Sequence, residues 1–268
     1  MESKLENANL MHEDKNNLAY YDALAFWYSA GSATSQAWVA FLEKFILQSL
    51  PEKAHFLDIC CGKGELIQQL LMKGYQVTGL DFSKEMLHYA RENAPNGEFI
   101  QSDARFFKLP PTFHAVVSTQ NSFSNVTSLE ELTSVFYNVY TAMLENGWFA
   151  FDLSQEEEYI LNHNDSYSDV RDDFAFNLLS RNYYPEEKIY RRNVVLFRLI
   201  NGTWQRSDVT LVERPYFPEQ VKSALEKVGF KEVKVYDVNR ELAANESELT
   251  GELDGLVKNG RMCYVCHK

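Results

Sequence analysis

His55-Phe56-Leu57-Asp58-Ile59-Cys60-Cys61-Gly62-Lys63-Gly64-Glu65 decides how the rest of the chain is read. Its apolar run, Phe56 to Ile59, predicts a buried strand. The run stops at Gly62-Lys63-Gly64, and an amphipathic stretch starts at once. Leu66, Ile67, Leu70 and Leu71 share one helical face, with Gly74 as the stop. A second apolar strand follows, Tyr75 to Leu80, ending in Asp81. The pattern is strand, glycine turn, helix, strand and acid.

Each part has a chemical use. Glycine lets the backbone turn tightly and lets a ligand lie against it. The start of a helix offers free N–H groups. A carboxylate at the end of the second strand can accept hydrogen bonds from both hydroxyls of a ribose. In dinucleotide folds that acid lies about 20 residues past the glycines, and Asp81 is in that range. Ile67 stands where a dinucleotide fingerprint has its third glycine. A nucleoside without a pyrophosphate therefore fits better than a dinucleotide.

Leu57 to Gly64 resembles motif I of the class I S-adenosylmethionine-dependent methyltransferases, with Cys60 in place of the usual small residue. Val77 to Leu87 resembles the second segment of that family, Phe99 to Ala104 the third, Phe113 to Ser118 the fourth strand, and Glu145 to Asp152 the fifth. The likeness covers about residues 50 to 152 in the correct order and resumes weakly near the C-terminus. The resemblance implies an α/β fold. Its core is a seven-stranded Rossmann-like sheet, mostly parallel, with the last strand antiparallel and inserted between strands five and six. It implies S-adenosyl-L-methionine as cofactor. The expected cofactor-binding residues are Tyr28, Asp58, Cys60, Gly62, Gly64, Asp81, Phe82, Met86, Asp103, Ala104, Gln120 and Asn121. Asp81 would hold the ribose, Phe82 would line the adenine pocket, and Asp103 would accept from the adenine amino group. Ala104 would offer a backbone N–H to the ring.

Composition narrows the partners. Apolar content of 45% and charged content of 24% are those of an ordinary globular protein. No 18-residue apolar run and no signal-peptide core is present, so neither a membrane span nor a membrane partner is expected and the location reads as cytoplasmic. A net charge of −12 disfavours nucleic acid, whose binders usually carry a basic face. The sequence specifies no oligomeric state. Four cysteines, two of them adjacent, make no disulfide framework. Cys263-Tyr264-Val265-Cys266-His267 has the spacing of a c-type haem site, but it lies where the fold needs its final strand. No metal site is expected.

Four segments follow. Residues 1–50 form an N-terminal helical segment over the cofactor pocket, with an aromatic cluster from Tyr20 to Tyr28 and a helix from about Ser35 to Leu50. Residues 51–153 form the cofactor-binding core. Here Ser83 caps a helix carrying Met86, Leu87 and Ala90 on one face. Ser128-Leu129-Glu130-Glu131 is a capping box for a helix running to about Glu145, and strand five is Trp148 to Leu153. Residues 154–214 begin with an acidic helical turn and loop. They continue as three strands, Phe174–Tyr184, Lys188–Leu199 and Trp204–Val212, with Asn201-Gly202 as a hairpin turn. This antiparallel β insertion resembles the substrate lid of small-molecule N-methyltransferases. Residues 215–268 hold a helix from Pro218, strand six, and the last strand.

The loop Gln120 to Asn125, after strand four, faces the reacting methyl group by its place in an open α/β sheet. It lacks the Asn/Asp-Pro-Pro-Tyr/Phe motif of enzymes that methylate nucleic-acid bases, again favouring a small-molecule methyl acceptor. Asp152 and His163 are the candidate proton acceptors, Asp152 being equally readable as a packed strand-end acid. His114 sits at the wrong end of its strand. The expected function is S-adenosylmethionine-dependent methylation of a small polar molecule, at nitrogen first and at oxygen or carbon as the alternative. A cofactor-binding module without catalysis is the reading from another class. It would need a residue filling the acceptor space, for which Phe123 is the candidate.

Overall fold

In the computed structural model, which describes residues 15–27, 32–161, 167–237 and 261–268, alternation within single strands sets the layers. In β1 (His55–Ile59), Phe56 points into one apolar layer while Leu57 and Ile59 point into the other. The same split recurs along β4 (Phe113–Ser118), with Ala115 and Val117 on one face and Val116 on the other. Strands buried on both faces need helices on both faces. One layer is closed by α2 (Ser32–Phe45) and α3 (Glu65–Met72), the other by α5 (Leu129–Ala142) and α7 (Pro218–Val228).

The main sheet has seven strands in the order β10-β11-β5-β4-β1-β2-β3. β2 is Gln76–Asp81, β3 Glu98–Gln101, β5 Met143–Ser154, β10 Lys231–Asp237 and β11 Arg261–His267. Strands β1 to β5 pair in parallel, and β11 runs antiparallel to both β5 and β10. The direction of winding reverses at β1, between β2 and β4, which puts a crevice over the C-terminal end of β1.

Local chemistry sets the helix starts. Gly64 precedes α3 at φ +72°. The Ser83 hydroxyl accepts from the Met86 N–H at 3.0 Å and opens α4 (Lys84–Asn93). The Ser128 hydroxyl caps α5 through the Glu131 N–H. Gly79, in the middle of β2, has no room for a side chain. An added Cβ would lie 2.5 Å from Ile67 and 2.8 Å from the Cys61 sulfur.

A second sheet, β6-β7-β8-β9, is antiparallel throughout. It comprises β6 (Tyr167–Arg171), β7 (Phe174–Tyr184), β8 (Ile189–Ile200) and β9 (Thr203–Glu213). Asn201 and Gly202 both take positive φ, as the β8–β9 hairpin requires. The inner face, with Phe174, Phe176, Leu178, Val194, Leu196 and Leu211, packs on Tyr20 and Leu24 of helix α1, residues 15–24.

The expected seven-stranded sheet and the β insertion after strand five are present. Three details differ. The insertion has four strands, because Tyr167–Arg171 adds an exposed edge strand with no apolar alternation to reveal it. Helix α5 ends at Ala142, three residues early, and β5 starts at Met143. Asn146 at φ +61° and Gly147 lie inside that strand as an irregularity and do not end the helix. Helix α2 stops at Phe45, with a separate short turn over Leu47–Ser49. Cys263 and Cys266 are both fully buried in β11, in opposite layers, so the haem-like spacing is a strand. No helix among the described residues is long and apolar enough to cross a membrane.

Candidate active site

The turn after β1 is built from left-handed residues. Cys60, Gly62 and Gly64 have φ of +57°, +53° and +72°. Cys60 is the costly member, since a side chain disfavours that region. The coil holds the Gly62 N–H 2.9 Å from one oxygen of Asp81, whose other oxygen accepts from the Ser83 N–H, also at 2.9 Å. Asp81 thus fixes the glycine turn to the start of α4. The Ser83 hydroxyl also meets Asp22 of α1 at 2.5 Å.

A cleft opens here at the C-terminal ends of β1, β2 and β4. Asp58, Cys60, Gly62, Asp81, Phe82, Met86, Asp103, Ala104 and Gln120 all line it. Gly64 and Asn121 do not. Gly64 lies against Ala90, where an added Cβ would be 3.3 Å from that residue's own, so its role is close packing of α3 on α4. Tyr28 and His163 lie outside the described residues. Ser122 and Asn125 of the expected loop also line the cleft; sequence reasoning missed Asn17, Tyr21 and Ser35, which close it from the N-terminal segment, and Lys63 and Arg105. The dense aromatic run around Tyr21 was the available signal.

Two carboxylates of the cleft are buried. Asp58 and Asp81 are 2% and 4% exposed. Burial, then the charge of Asp81, holds the Asp58 carboxyl well above the usual range. Burial also lifts Asp81 to about 6, against the pull of the Ser83 and Gly62 N–H groups. One oxygen of Asp58 is buried without a hydrogen-bond partner. Buried acceptors of this kind call for donors. S-adenosylmethionine carries them as an ammonium, two ribose hydroxyls and an adenine amino group, and its sulfonium is a second cation. The donor and acceptor chemistry of the cleft fits that cofactor. Asp103 is already gripped by Arg105, whose Nη2 lies 2.6 Å and whose Nε lies 3.0 Å from its two oxygens.

A second cleft adjoins the first. Tyr21 and Gln120 line both. Its other walls are Tyr20 from α1, Asn121 from the loop, Ser154 at the end of β5, Glu158 and Tyr159 beyond it, Tyr190, Arg192, Leu211 and Glu213 from the second sheet, and Arg261. Asn121 is the hub. Held at φ +61°, it donates its N–H to Asp152 at 3.0 Å and its side-chain NH2 to Tyr159 at 2.7 Å and Glu213 at 3.1 Å. Its side-chain oxygen accepts from the Ser154 N–H at 2.8 Å. The Arg214 N–H bonds the Ser124 carbonyl at 2.8 Å, so the end of β9 is sewn to the same loop.

Asp152 is 1% exposed and lines neither cleft. Its carboxylate is shared between the Asn121 N–H and Arg261, 3.2 Å away. Burial raises it, and Arg261 opposes that rise. It organises the loop from behind, the packed strand-end reading of this residue. Phe123 is fully buried among Phe136, Phe149 and Phe151 and fills no acceptor space. His114 receives the His55 N–H at the opposite end of the sheet.

Residues 56–147 match a methyltransferase domain family. A Bacillus subtilis protein carrying the methyltransferase name YqeM is 28% identical over 70% of this chain and 78% of its own length. A dTDP-3-amino-3,4,6-trideoxy-alpha-D-glucopyranose N,N-dimethyltransferase of Streptomyces venezuelae is 35% identical over 31% of this chain and 35% of its own. Among solved structures, S-adenosylmethionine-bound CalS10, an amino pentose methyltransferase of Micromonospora echinaspora, superposes with a TM-score of 0.63. That pair is 18% identical, with 91% of this chain and 93% of that chain covered.

Proposed function

We propose that this chain, an S-adenosylmethionine-dependent methyltransferase, methylates an amine of a small polar molecule seated in the second cleft. The observation that carries the reading is the pair of clefts meeting at Tyr21 and Gln120. A donor pocket and an acceptor pocket with a shared wall are what an in-line transfer needs, because the chain's main task is to bring nucleophile and methyl carbon together and keep water out. When bound, the cofactor supplies an electrophilic methyl carbon on a good leaving group.

The first cleft supports a division of labour. Asp81, bridging the glycine turn and α4, would take the ribose. Asp58, with its free buried oxygen, would take the ammonium, and Asp103 the adenine amino group. Asn17 and Tyr21 would shield the reacting atoms from above. The second cleft is polar, with carboxylates, arginines and phenols facing each other. The S. venezuelae relative and the CalS10 structure, both named for amino sugars, favour nitrogen over oxygen or carbon. Residues 154–214 would act as the acceptor lid.

Calorimetry with S-adenosylmethionine and S-adenosylhomocysteine comes first, with one site per chain expected. Methyl transfer from labelled cofactor to glucosamine, ethanolamine and glycine follows, with the site of methylation read by NMR. Methyl groups on nitrogen support the proposal. Methyl groups found only on oxygen or carbon overturn the amine assignment and leave the enzyme class intact.

A further inference from the structure

We infer that Glu213, at the end of β9, is the carboxylate that receives the acceptor's amino group and takes its proton. This rests on the amine reading above and names the residue that performs it. Three observations converge on one atom. Glu213 is 6% exposed and lines the second cleft. Its Oε1 accepts from the Asn121 side-chain NH2 at 3.1 Å and lies 3.0 Å from the Ser124 hydroxyl, whose single proton is shared with the Asn121 carbonyl at 2.7 Å. Its Oε2 is buried without a hydrogen-bond partner. Oε1 is therefore held in place, while Oε2 lies buried behind the cleft wall with the Arg192 guanidinium facing it.

Arg192, on β8, is the nearest cation, with Nη2 3.6 Å from Oε2. A purely structural arginine–carboxylate pair closes to about 2.8 Å and is often bidentate. Here the distance is too long for a hydrogen bond, and Arg192 Nε is itself buried without a partner. The guanidinium balances charge and leaves the oxygen open. A buried acceptor left empty is costly, and an N–H donor entering the cleft removes that cost.

The position is also right. Glu213 Oε1 holds the side chain of Asn121, whose neighbour Gln120 lines both clefts. Asp152 lines neither cleft and is engaged with Arg261. Glu158, the other carboxylate of the cleft, bonds Ser154 and faces the charge of Arg261.

The step balances without a further reactant. An acceptor arriving as an ammonium gives one N–H proton to Glu213 Oε2, which frees the nitrogen lone pair. The lone pair forms the N–C bond while the C–S bond breaks, its electrons going to sulfur and cancelling the sulfonium charge. The methylated nitrogen leaves as an ammonium, and the proton on Glu213 passes to water.

The test is Glu213→Gln in the full chain, with glucosamine, ethanolamine and glycine as probes. Glutamine keeps the bonds to Asn121 and Ser124 but cannot take a proton. The expected result is a fall in kcat of about 100-fold or more, with the cofactor Kd unchanged within twofold and Glu213→Asp regaining part of the loss. Retention of a third or more of wild-type kcat overturns the inference. Should Glu213→Gln fail to fold by circular dichroism, or should the wild type methylate none of the probes, the deciding measurement is a wild-type crystal with S-adenosylhomocysteine and ethanolamine. A nitrogen within about 3.2 Å of Oε2 supports the inference, and ethanolamine bound elsewhere or not at all overturns it. Wild-type methylation confined to oxygen fails the amine reading itself, an outcome distinct from a Glu213→Gln variant that still methylates nitrogen.

Discussion

Asp81 pulls stability and function in opposite directions. Its folded pKa of about 6 is above the ordinary value of 3.8 because burial penalises its charge. The folded state therefore binds the proton more tightly than the unfolded state, and the fold loses stability as pH rises from about 4 to about 6. Two units at 1.36 kcal/mol each put the cost near 3 kcal/mol at neutral pH, as an upper figure. The proposed ribose role needs the ionised form. Lowering the pH through 6 should weaken cofactor binding while the apo fold gains stability. Asp81→Asn should weaken S-adenosylmethionine by at least tenfold and flatten the pH dependence of its Kd. Calorimetry and wild-type thermal melts at pH 5 and 8 check these outcomes. A variant that binds the cofactor as well as the wild type would remove the ribose role. The same residue shows what sequence could supply. An acid at the end of the second strand, after a glycine turn, has one familiar use, so Asp81 was legible. Glu213 was not, because nothing in Thr210-Leu211-Val212-Glu213-Arg214 distinguishes it from any strand-end acid until β9 is laid against the 121–125 loop.

At the scale of elements, β2 and α3 touch through Gly79. Alanine there would put a methyl 2.5 Å from Ile67 and 2.9 Å from Phe99. Gly79→Ala should cost about 1–3 kcal/mol, read as a lower midpoint in urea unfolding. The loop after β4 is a second such joint. Asn121→Ala removes bonds to Tyr159, Glu213 and Ser154 at once and places alanine at φ +61°. The expected outcome is a loss of at least tenfold in kcat/KM, with most of the cofactor affinity kept because Asn121 lines only the second cleft. Strands buried on both faces advertise themselves as apolar runs, so β1, β2 and β4 were readable from the sequence, while their place in the sheet came from the ordered motifs that resemble the methyltransferase family. Edge strand β6 was not, since an exposed strand is held by ladder bonds to β7 that leave no periodic trace. The end of α5 was misplaced for a related reason. Asn146-Gly147 has turn chemistry, and the chain uses it inside a strand, where Met143 already pairs with Phe113.

Across the whole molecule, α1 is the clasp. Asn17 donates to the Val212 carbonyl at 2.8 Å and accepts from its N–H at 2.7 Å, continuing the ladder of β9 with a side chain. It also lines the cofactor cleft. Tyr20 and Leu24 pack into the second sheet, and Trp27 stacks on Phe176 at 4.6 Å. The first cleft and the second sheet are thus tied through one helix. Asn17→Ala should destabilise by about 1–3 kcal/mol and raise the KM for both substrates, whereas loss of a lid contact alone would raise only that of the acceptor. Steady-state kinetics with each substrate varied separately tells the two apart.

Strand β11 lies between β5 and β10, although 107 residues separate Ser154 from Arg261. On a ribosome adding about 5–20 residues per second, the outer edge of β5 waits roughly 5–20 s for its neighbour. Phe149, Phe151 and Leu153, all fully buried once β11 is in place, spend that interval beside an unpaired ladder. The nascent chain carries this apolar edge for longer than it takes to make the entire second sheet, and helper proteins that shield such edges have that long to act on it.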